Sequence, residues 1–499
     1  MENLINGKTA SYIDEKSQEV YKIPSICLME EAGLKAWQFI KTKIDTSEPI
    51  VIIAGSGNNG GDALVIAREA INDGINDILV ILLGSTISDC NQIQREIIKR
   101  YSIFTVSIKN HEIDTTTLQS IATASTIIDG ITGTGLRNPL KGDAVLLVNQ
   151  INKSSAKIFS IDIPSGLGDE VNVNNISVKS DYTICIGPLK SIYYNPNIHA
   201  RCGEVFALNP SFPPFITKNI KPSAYLANDE SPELIPLEID AYKKIRGHLA
   251  IFGGSDKYTG AIRLAAKSAF VSRVGLVSTF VDEIIYPIVA SESPSVIVHP
   301  TTEVDDINKY NTILCGPGWG ENREVLLLSL LKTMKPIVID ADGISAFSSL
   351  YKVGKIQGHG TLILTPHMGE LKVLANAIVP EYEWTVGKDD KPEDFLKLLQ
   401  KISVKTGAIV VCKSSVTFIA TAARVPVVVA GDNPALGVAG SGDVLAGCIA
   451  GLLAGGLSPY KSALYGVLWH KEAGMQCYKE NGFFDSISLI TYVGKVIAK

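Results

Sequence analysis

Short runs of β-branched and aliphatic residues recur along this chain, each followed by a glycine-containing turn and an amphipathic stretch, and this repetition limits the fold more than any other feature. In the first half the runs are Pro49 to Ala54, Ile78 to Leu83, Ser125 to Ile128, Lys157 to Ile163 and Tyr182 to Ile186. Strands that are apolar throughout are covered on both faces, and strands alternating with helices form parallel sheets. The spacing predicts an α/β domain with a Rossmann-like, doubly wound parallel sheet.

The pattern lapses between Asn209 and Pro236, where prolines stand at 210, 213, 214, 222, 232 and 236. Such a segment is expected to hold neither a helix nor a central strand. The alternation then restarts with His248 to Phe252, Gly275 to Val281, Thr312 to Cys315, Pro336 to Ile339, Thr361 to Leu364 and Ala408 to Cys412, predicting a second α/β sheet. Because 499 residues exceed what one hydrophobic core usually supports, two domains are expected, 1–218 and 222–499.

Composition removes several function classes. With 46% hydrophobic and 19% charged residues the chain is expected to fold throughout. A net charge of −5 with interspersed signs offers no footprint for a polyanion, so nucleic acid is not an expected partner. The polar start, Met1 to Asp14, has no apolar core of a signal peptide, and the apolar stretch Val438 to Leu457 is interrupted by glycines and Asp443. A cytoplasmic protein without membrane insertion is expected. The eight cysteines form no Cys-x-x-Cys pair and read as small buried hydrophobes in a reducing compartment.

Strand Pro49 to Ala54 runs into Gly55-Ser56-Gly57-Asn58-Asn59-Gly60-Gly61-Asp62, and a helix is expected from Ala63 to Ile71. Backbone N–H groups at a helix start can bind an anion. The next strand exits into Gly84-Ser85, without the acidic residue that a nicotinamide dehydrogenase uses to hold the ribose. Two further strand ends carry Asp129, leading to Gly133-Thr134-Gly135, and Asp162, leading to Pro164-Ser165-Gly166. Asn59, Asp129, Asp162 and Ser165 are thus directed to one crevice, where their oxygens suit a hard cation or a carboxylate could act as general acid or base. The alternative is that both aspartates only cap turns after strands.

Near the other end, Asp432-Asn433-Pro434 leads to Gly440-Ser441-Gly442-Asp443, with a helix expected from Val444 to Ala454. Amides at that helix start would cradle a phosphoryl group in transfer, and Asp443 could take a proton from an attacking hydroxyl. The alternative is a flexible loop with Asp443 as a helix-end charge, although the small residues Ala446 to Gly451 suggest close backbone packing near a ligand. No Gly-x-x-x-x-Gly-Lys-Ser/Thr loop is present. His367 follows a strand and precedes Gly369-Glu370, and the other histidines, at 111, 199, 248, 299, 359 and 470, form no zinc-spaced pair.

Two resemblances follow from these motifs. Leu28-Met29-Glu30 with Ala32-Gly33, then GNNGGD, Asp129 with GTGL, and IDIPSG resemble the NAD(P)H-hydrate epimerase family over residues 1 to about 210. The resemblance implies a potassium ion held by Asn59, Asp129 and Ser165. It also implies substrate contacts from Asn58, Asn59, Gly60, Gly61, Asp62, Gly133, Thr134, Gly135, Leu136, Arg137, Asn138, Pro139 and Asp162, with Asp162 as acid or base.

The second half is similar to the ribokinase-like superfamily, and within it to ADP-dependent NAD(P)H-hydrate dehydratases. The matching residues are Gly253-Gly254-Ser255, Tyr258 to Ala261, Gly316-Pro317-Gly318, Ile339 to Asp342, Leu364 to His367, Lys413 to Thr417 and Gly440 to Asp443. By that similarity Ala261, Gly318, His367 and Asp443 meet the hydrated nicotinamide, with Asp443 catalytic. Lys413, Ser414, Ser415, Val416, Thr417 and Gly442 meet the nucleotide, ADP, which magnesium (Mg2+) would accompany. The implied substrates are the hydrates NADHX and NADPHX, repaired by a homo-oligomer. The alternative is a kinase for a vitamin alcohol fused to a non-catalytic dinucleotide-binding or interaction module.

Overall fold

The computed structural model describes the chain except residues 109–112, 228–231, 233, 235, 293, 305, 357–359, 382–390, 432 and 499. His111, His359 and Asp432 therefore lie outside the described residues. The chain divides into two compact units: Asn3–Ala224 with the described part of Thr385–Phe395, and Tyr225–Trp384 and Leu396–Lys499 with Met1–Glu2.

Seven strands in the N-terminal unit lie in the order Thr105–Ser107, Ile78–Leu82, Ile50–Ala54, Thr126–Gly130, Lys157–Ile161, Tyr182–Ile186 and Glu204–Leu208. All pairings are parallel. Side chains alternate across a strand, so the all-apolar run Ile50–Ala54 serves two cores. Ile50, Ile52 and Ala54 pack with Trp37 and Leu64 on one face, while Val51 and Ile53 pack with Ile121, Leu147 and Ile151 on the other. Helices cover both faces, and the sheet is doubly wound.

Ten strands of the C-terminal unit lie in the order Ala224–Leu226, Val427–Ala430, Val416–Ala420, Ile409–Cys412, Leu362–Leu364, Ile337–Ile339, Thr312–Cys315, His248–Phe252, Leu276–Val281 and Ile297–Pro300. From Ile409–Cys412 to Ile297–Pro300 the pairing is parallel. Val416–Ala420 is antiparallel to both neighbours. A hairpin needs only a tight turn, so this part of the sheet forms without crossover helices.

Several expectations are corrected. The proline-rich segment does hold a short helix, Pro214–Thr217, and a strand, Ala224–Leu226. Proline is tolerated in a first helical turn, where its missing N–H has no acceptor, and the strand falls between Pro222 and Pro232. Both helices at the motifs begin earlier than expected, at Asn58 and at Ser441, so GNNGGD and GSGD supply first turns as well as loops.

The small-residue run after Asp443 packs closely, as expected, and its neighbour is another helix. A Cβ on Gly447 would lie 2.2 Å from the Ala265 carbonyl oxygen, and one on Gly451 2.8 Å from that of Ala269. Helices Ser441–Ala454 and Thr259–Val271 thus approach backbone to backbone. Six of the eight free cysteines are buried. No described helix is long and apolar enough to cross a membrane.

The Gly447 contact is with main chain that cannot turn aside, so Gly447→Ala is expected to destabilise the C-terminal unit by about 1–3 kcal/mol. Gly260, in a helix with nothing within 4 Å of an added Cβ, is the control. Gly260→Ala should be neutral or stabilising by up to about 1 kcal/mol, because glycine is the poorer helix former. Denaturant unfolding of the two variants checks both.

Candidate functional site

In the N-terminal unit the strand ends at Ala54, Gly130 and Ile161 open onto a cavity of ≈ 620 Å³. Asn58, Asn59, Asp62, Gly133, Thr134, Gly135, Leu136 and Asp162 line it. Gly60, Gly61, Arg137, Asn138 and Pro139 do not. Gly60 instead permits close packing, since a Cβ there would stand 2.0 Å from the Gly55 carbonyl oxygen, and Gly61 faces the Met29 side chain. Ala10, Ser11 and Asp14 of the first helix also line the cavity, with no motif to announce them.

Asp162 has φ +66°, a conformation that costs a non-glycine residue about 1 kcal/mol or more. Local bonds hold it there. Its Oδ1 accepts from Lys190 Nζ at 2.8 Å, and its Oδ2 accepts from the Thr134 N–H at 2.9 Å and the Thr134 hydroxyl at 3.0 Å. The Tyr193 hydroxyl donates to its carbonyl at 2.5 Å. Burial alone would raise the Asp162 carboxyl, but the Lys190 ammonium and Thr134 outweigh it and hold the group below the usual range. Lys190 is itself buried, and Asp162 keeps it protonated. Asp162 is thus ionised with both oxygens engaged, which suits a fixed charge better than a proton donor.

Behind the cavity wall, Asp129 and Ser165 are fully buried. Asp129 accepts from the Ser165 hydroxyl at 2.5 Å, the Ser165 N–H at 2.9 Å and the Ser160 hydroxyl at 2.7 Å, and burial pushes its carboxyl up. Asn59 donates its amide to the Thr132 carbonyl at 3.0 Å, leaving Oδ1 buried with no hydrogen-bond partner. The Ser165 hydroxyl lies 3.2 Å from that same carbonyl. An orphaned amide oxygen beside a carboxylate, a hydroxyl and a carbonyl is an all-oxygen set with surplus negative character, which fits a hard monovalent cation.

A cavity of ≈ 840 Å³ in the C-terminal unit is lined by His367, Lys413, Ser414, Ser415, Thr417 and Gly442 from the sequence-derived set. Leu436, Val438, Leu445 and Val467 give it an apolar wall. Val416 is fully buried in the core and is not among the lining residues. Ala261, Gly318 and Asp443 are not among its lining residues, but Ala261 and Gly318 meet each other, a Cβ on Gly318 falling 3.0 Å from that of Ala261.

Helix Ser441–Ala454 starts from Gly440 at φ +87°, a position favouring glycine. The Ser441 N–H is taken by the Val438 carbonyl at 3.2 Å, leaving the amides of Gly442 and Asp443 at the open helix end. The loop is anchored by the Ser486 hydroxyl, which donates to the Ala439 carbonyl at 2.7 Å. Buried His470 places its Nε2 3.0 Å from the Ser441 carbonyl oxygen, and burial pushes its pKa down to about 4, so it is neutral.

Lys413 pairs with fully buried Asp340 at 2.5 Å, while Thr365 donates to the same carboxylate oxygen at 2.7 Å. A Cβ on Gly442 would stand 3.4 Å from the Lys413 ammonium, so cation and helix end face each other. Burial and the Asp340 charge push the Asp443 carboxyl up to about 7, against the opposing pull of Lys413. His367 serves as a helix cap: its Nδ1 accepts from the N–H groups of Gly369 and Glu370, and Glu370 bonds the His367 N–H in return. Its ring is exposed and its Nε2 lies 3.3 Å from Glu370 Oε1.

Asp340, Thr365, Lys190, Ser486 and His470 were not assigned roles from sequence. Lys190 lies in the glycine- and proline-containing loop Gly187-Pro188-Leu189-Lys190-Ser191, directly after the strand Tyr182–Ile186. Asp340 stood in a recognised motif, but its partner Lys413 is 73 residues away.

Residues 25–192 match the family described as YjeF-related protein N-terminus, and residues 249–495 match NAD(P)H-hydrate dehydratase. A bifunctional NAD(P)H-hydrate repair enzyme of Dictyoglomus turgidum is 30% identical, over 94% of this chain and 95% of its own. The one from Thermofilum pendens is 29% identical, over 97% and 94%. Among solved structures, an ADP/ATP-dependent NAD(P)H-hydrate dehydratase from Bacillus subtilis, crystallised with ATP and Mg2+, is 21% identical at a TM-score of 0.44, covering 53% of this chain and 93% of that one. On these matches, the chain belongs to the family of bifunctional NAD(P)H-hydrate repair enzymes.

Proposed function

We propose that the N-terminal unit interconverts the R and S hydrates of NADH and NADPH, and that the C-terminal unit dehydrates the S form with conversion of ADP to AMP and phosphate. The observation that carries the second step is the meeting of the Lys413 ammonium, the Gly442 and Asp443 amides and a carboxyl of pKa about 7 beside one cavity. The vitamin-alcohol kinase alternative leaves the N-terminal cavity and its buried charges without a task.

Hydroxide is a poor leaving group, which explains the nucleotide. Asp443 takes the proton of the ring hydroxyl, whose oxygen then attacks the terminal phosphorus of ADP, and AMP departs. Lys413 and the two amides hold the transferring phosphoryl oxygens. The phosphorylated oxygen then leaves as phosphate while the adjacent ring carbon loses a proton, restoring the double bond of the reduced nicotinamide. The apolar wall of Leu436, Val438 and Val467 suits an adenine ring.

In the N-terminal unit Asn59, Asp129 and Ser165 would hold potassium, which would supply positive charge beside the substrate hydroxyl. Asp162, fixed by Lys190, orders the Thr134 loop at the cavity wall.

Two outcomes follow. Asp443 must be ionised to accept a proton, so dehydratase kcat/KM should rise with pH up to about 7 and level off above it. Asp443→Asn should lower kcat by about 10²–10⁴-fold and abolish that inflection, which pH–rate profiles on the S hydrate will read. Potassium at 100 times its dissociation constant should stabilise the N-terminal unit by about 2.7 kcal/mol over a bulky organic cation. Thermal melts should show this shift in the native chain and not in Asp129→Asn.

A further inference from the structure

Four ionisable side chains line the N-terminal cavity, and three of them have partners. Asp162 and Lys190 hold each other, and Asp14 accepts from Gln18 Nε2 at 2.8 Å. The fourth, Asp62, is only 7% exposed, and its carboxyl makes no hydrogen bond among the described residues. It projects from helix Asn58–Asn72 into a space shared with a carboxylate that Lys190 keeps ionised. Burial, the Asp162 charge and Asp14 all disfavour a second negative charge there. A buried carboxylate with no donor is costly, whereas a neutral carboxylic acid meets no such penalty and has a proton to give.

We infer that Asp62 is the proton donor of the epimerisation, a catalytic residue that acts on the hydroxyl of the hydrate while Asp162 remains an ionised, clamped neighbour. This rests on reading the cavity as the epimerase site. Asp62 passes its proton to the hydroxyl oxygen, the carbon–oxygen bond breaks with its electron pair on oxygen, and water is released. The ring nitrogen lone pair closes to a planar iminium. Water then adds to the other face, the electron pair returns to nitrogen, and the proton shed by that water goes back to the Asp62 carboxylate. Nothing is oxidised or reduced, and the acid is regenerated. Two carboxyl groups held in opposite protonation states by their surroundings is how paired acids divide such work.

The test uses the full-length chain, purified R hydrate and water enriched in oxygen-18. Asp62→Asn, which keeps shape but has no acidic proton, should lower the epimerisation kcat by about 10²–10⁴-fold while KM stays within about threefold. Incorporation of label at the hydroxyl should fall in parallel, and Asp62→Glu should recover part of both. Hydrate binding by Asp62→Asn, measured by titration calorimetry without ADP, should keep the native number of sites per chain, showing that the cavity is folded. An Asp62→Asn enzyme whose loss lies in KM alone, or whose kcat is within about fivefold of native, overturns the inference. So does native epimerisation without label uptake. A native chain that leaves the R hydrate unchanged overturns the epimerase reading itself, a result distinct from any of these.

Discussion

Carboxylates buried at the carboxyl ends of parallel strands are the constraint around which each unit is arranged. Asp129 ends one strand of the first sheet and Asp162 follows another, while Asp340 follows a strand of the second. Each must be compensated inside a folded core, and each is compensated differently. Asp129 relies on serine hydroxyls and an amide, Asp162 on Lys190, and Asp340 on Lys413 and Thr365. Buried ion pairs seldom stabilise more than apolar residues of the same volume would. Keeping two of them at strand exits, against the walls of cavities, is a feature of chemistry rather than of stability.

The two sites share a division of labour that neither motif reveals. In each, a carboxylate is paired with a lysine, and a second carboxyl close by is raised first by its own burial and then by the charge of that paired carboxylate. Asp162, paired with Lys190, does this to Asp62, and Asp340 does it to Asp443 against the opposing pull of Lys413. The consequences differ with the reaction. At Asp443 the pKa of about 7 lets the group act as a base near neutrality, whereas Asp62, with no hydrogen-bond donor, is suited to hold its proton.

Much of this architecture is legible in the sequence because parallel strands buried on both faces read as unbroken apolar runs, as Ile50–Ala54 and His248–Phe252 do. Thr105–Ser107, Glu204–Leu208 and Ile297–Pro300 escape because they are short or carry exposed residues toward the sheet margins. The loops at Gly57 and Gly440 are legible as glycine motifs, but the helix start is not, since both helices recruit motif residues into their first turns. His367 reads as a ligand contact from the motif around it, and it does line the cavity, but its bonds to the Gly369 and Glu370 amides, which make it a helix cap as well, are not legible in the sequence. The glycines after Asp443 signal close packing correctly, but a sequence cannot say that the neighbour is the helix carrying Ala265 and Ala269. The charge partners are the least visible, because Lys190 meets Asp162 across 28 residues and Lys413 meets Asp340 across 73.

The central claim, that one chain carries both halves of a repair sequence, is tested most directly by the extent of recovery rather than by its rate. The purified chain is given a known mixture of R and S hydrates with excess ADP, and the absorbance of the reduced ring is followed until it stops changing. Return of the whole mixture to reduced nucleotide, with AMP and phosphate each formed in equal amount to it, is the predicted result. A plateau at the amount of S hydrate supplied, or recovery without phosphate release, would contradict the account.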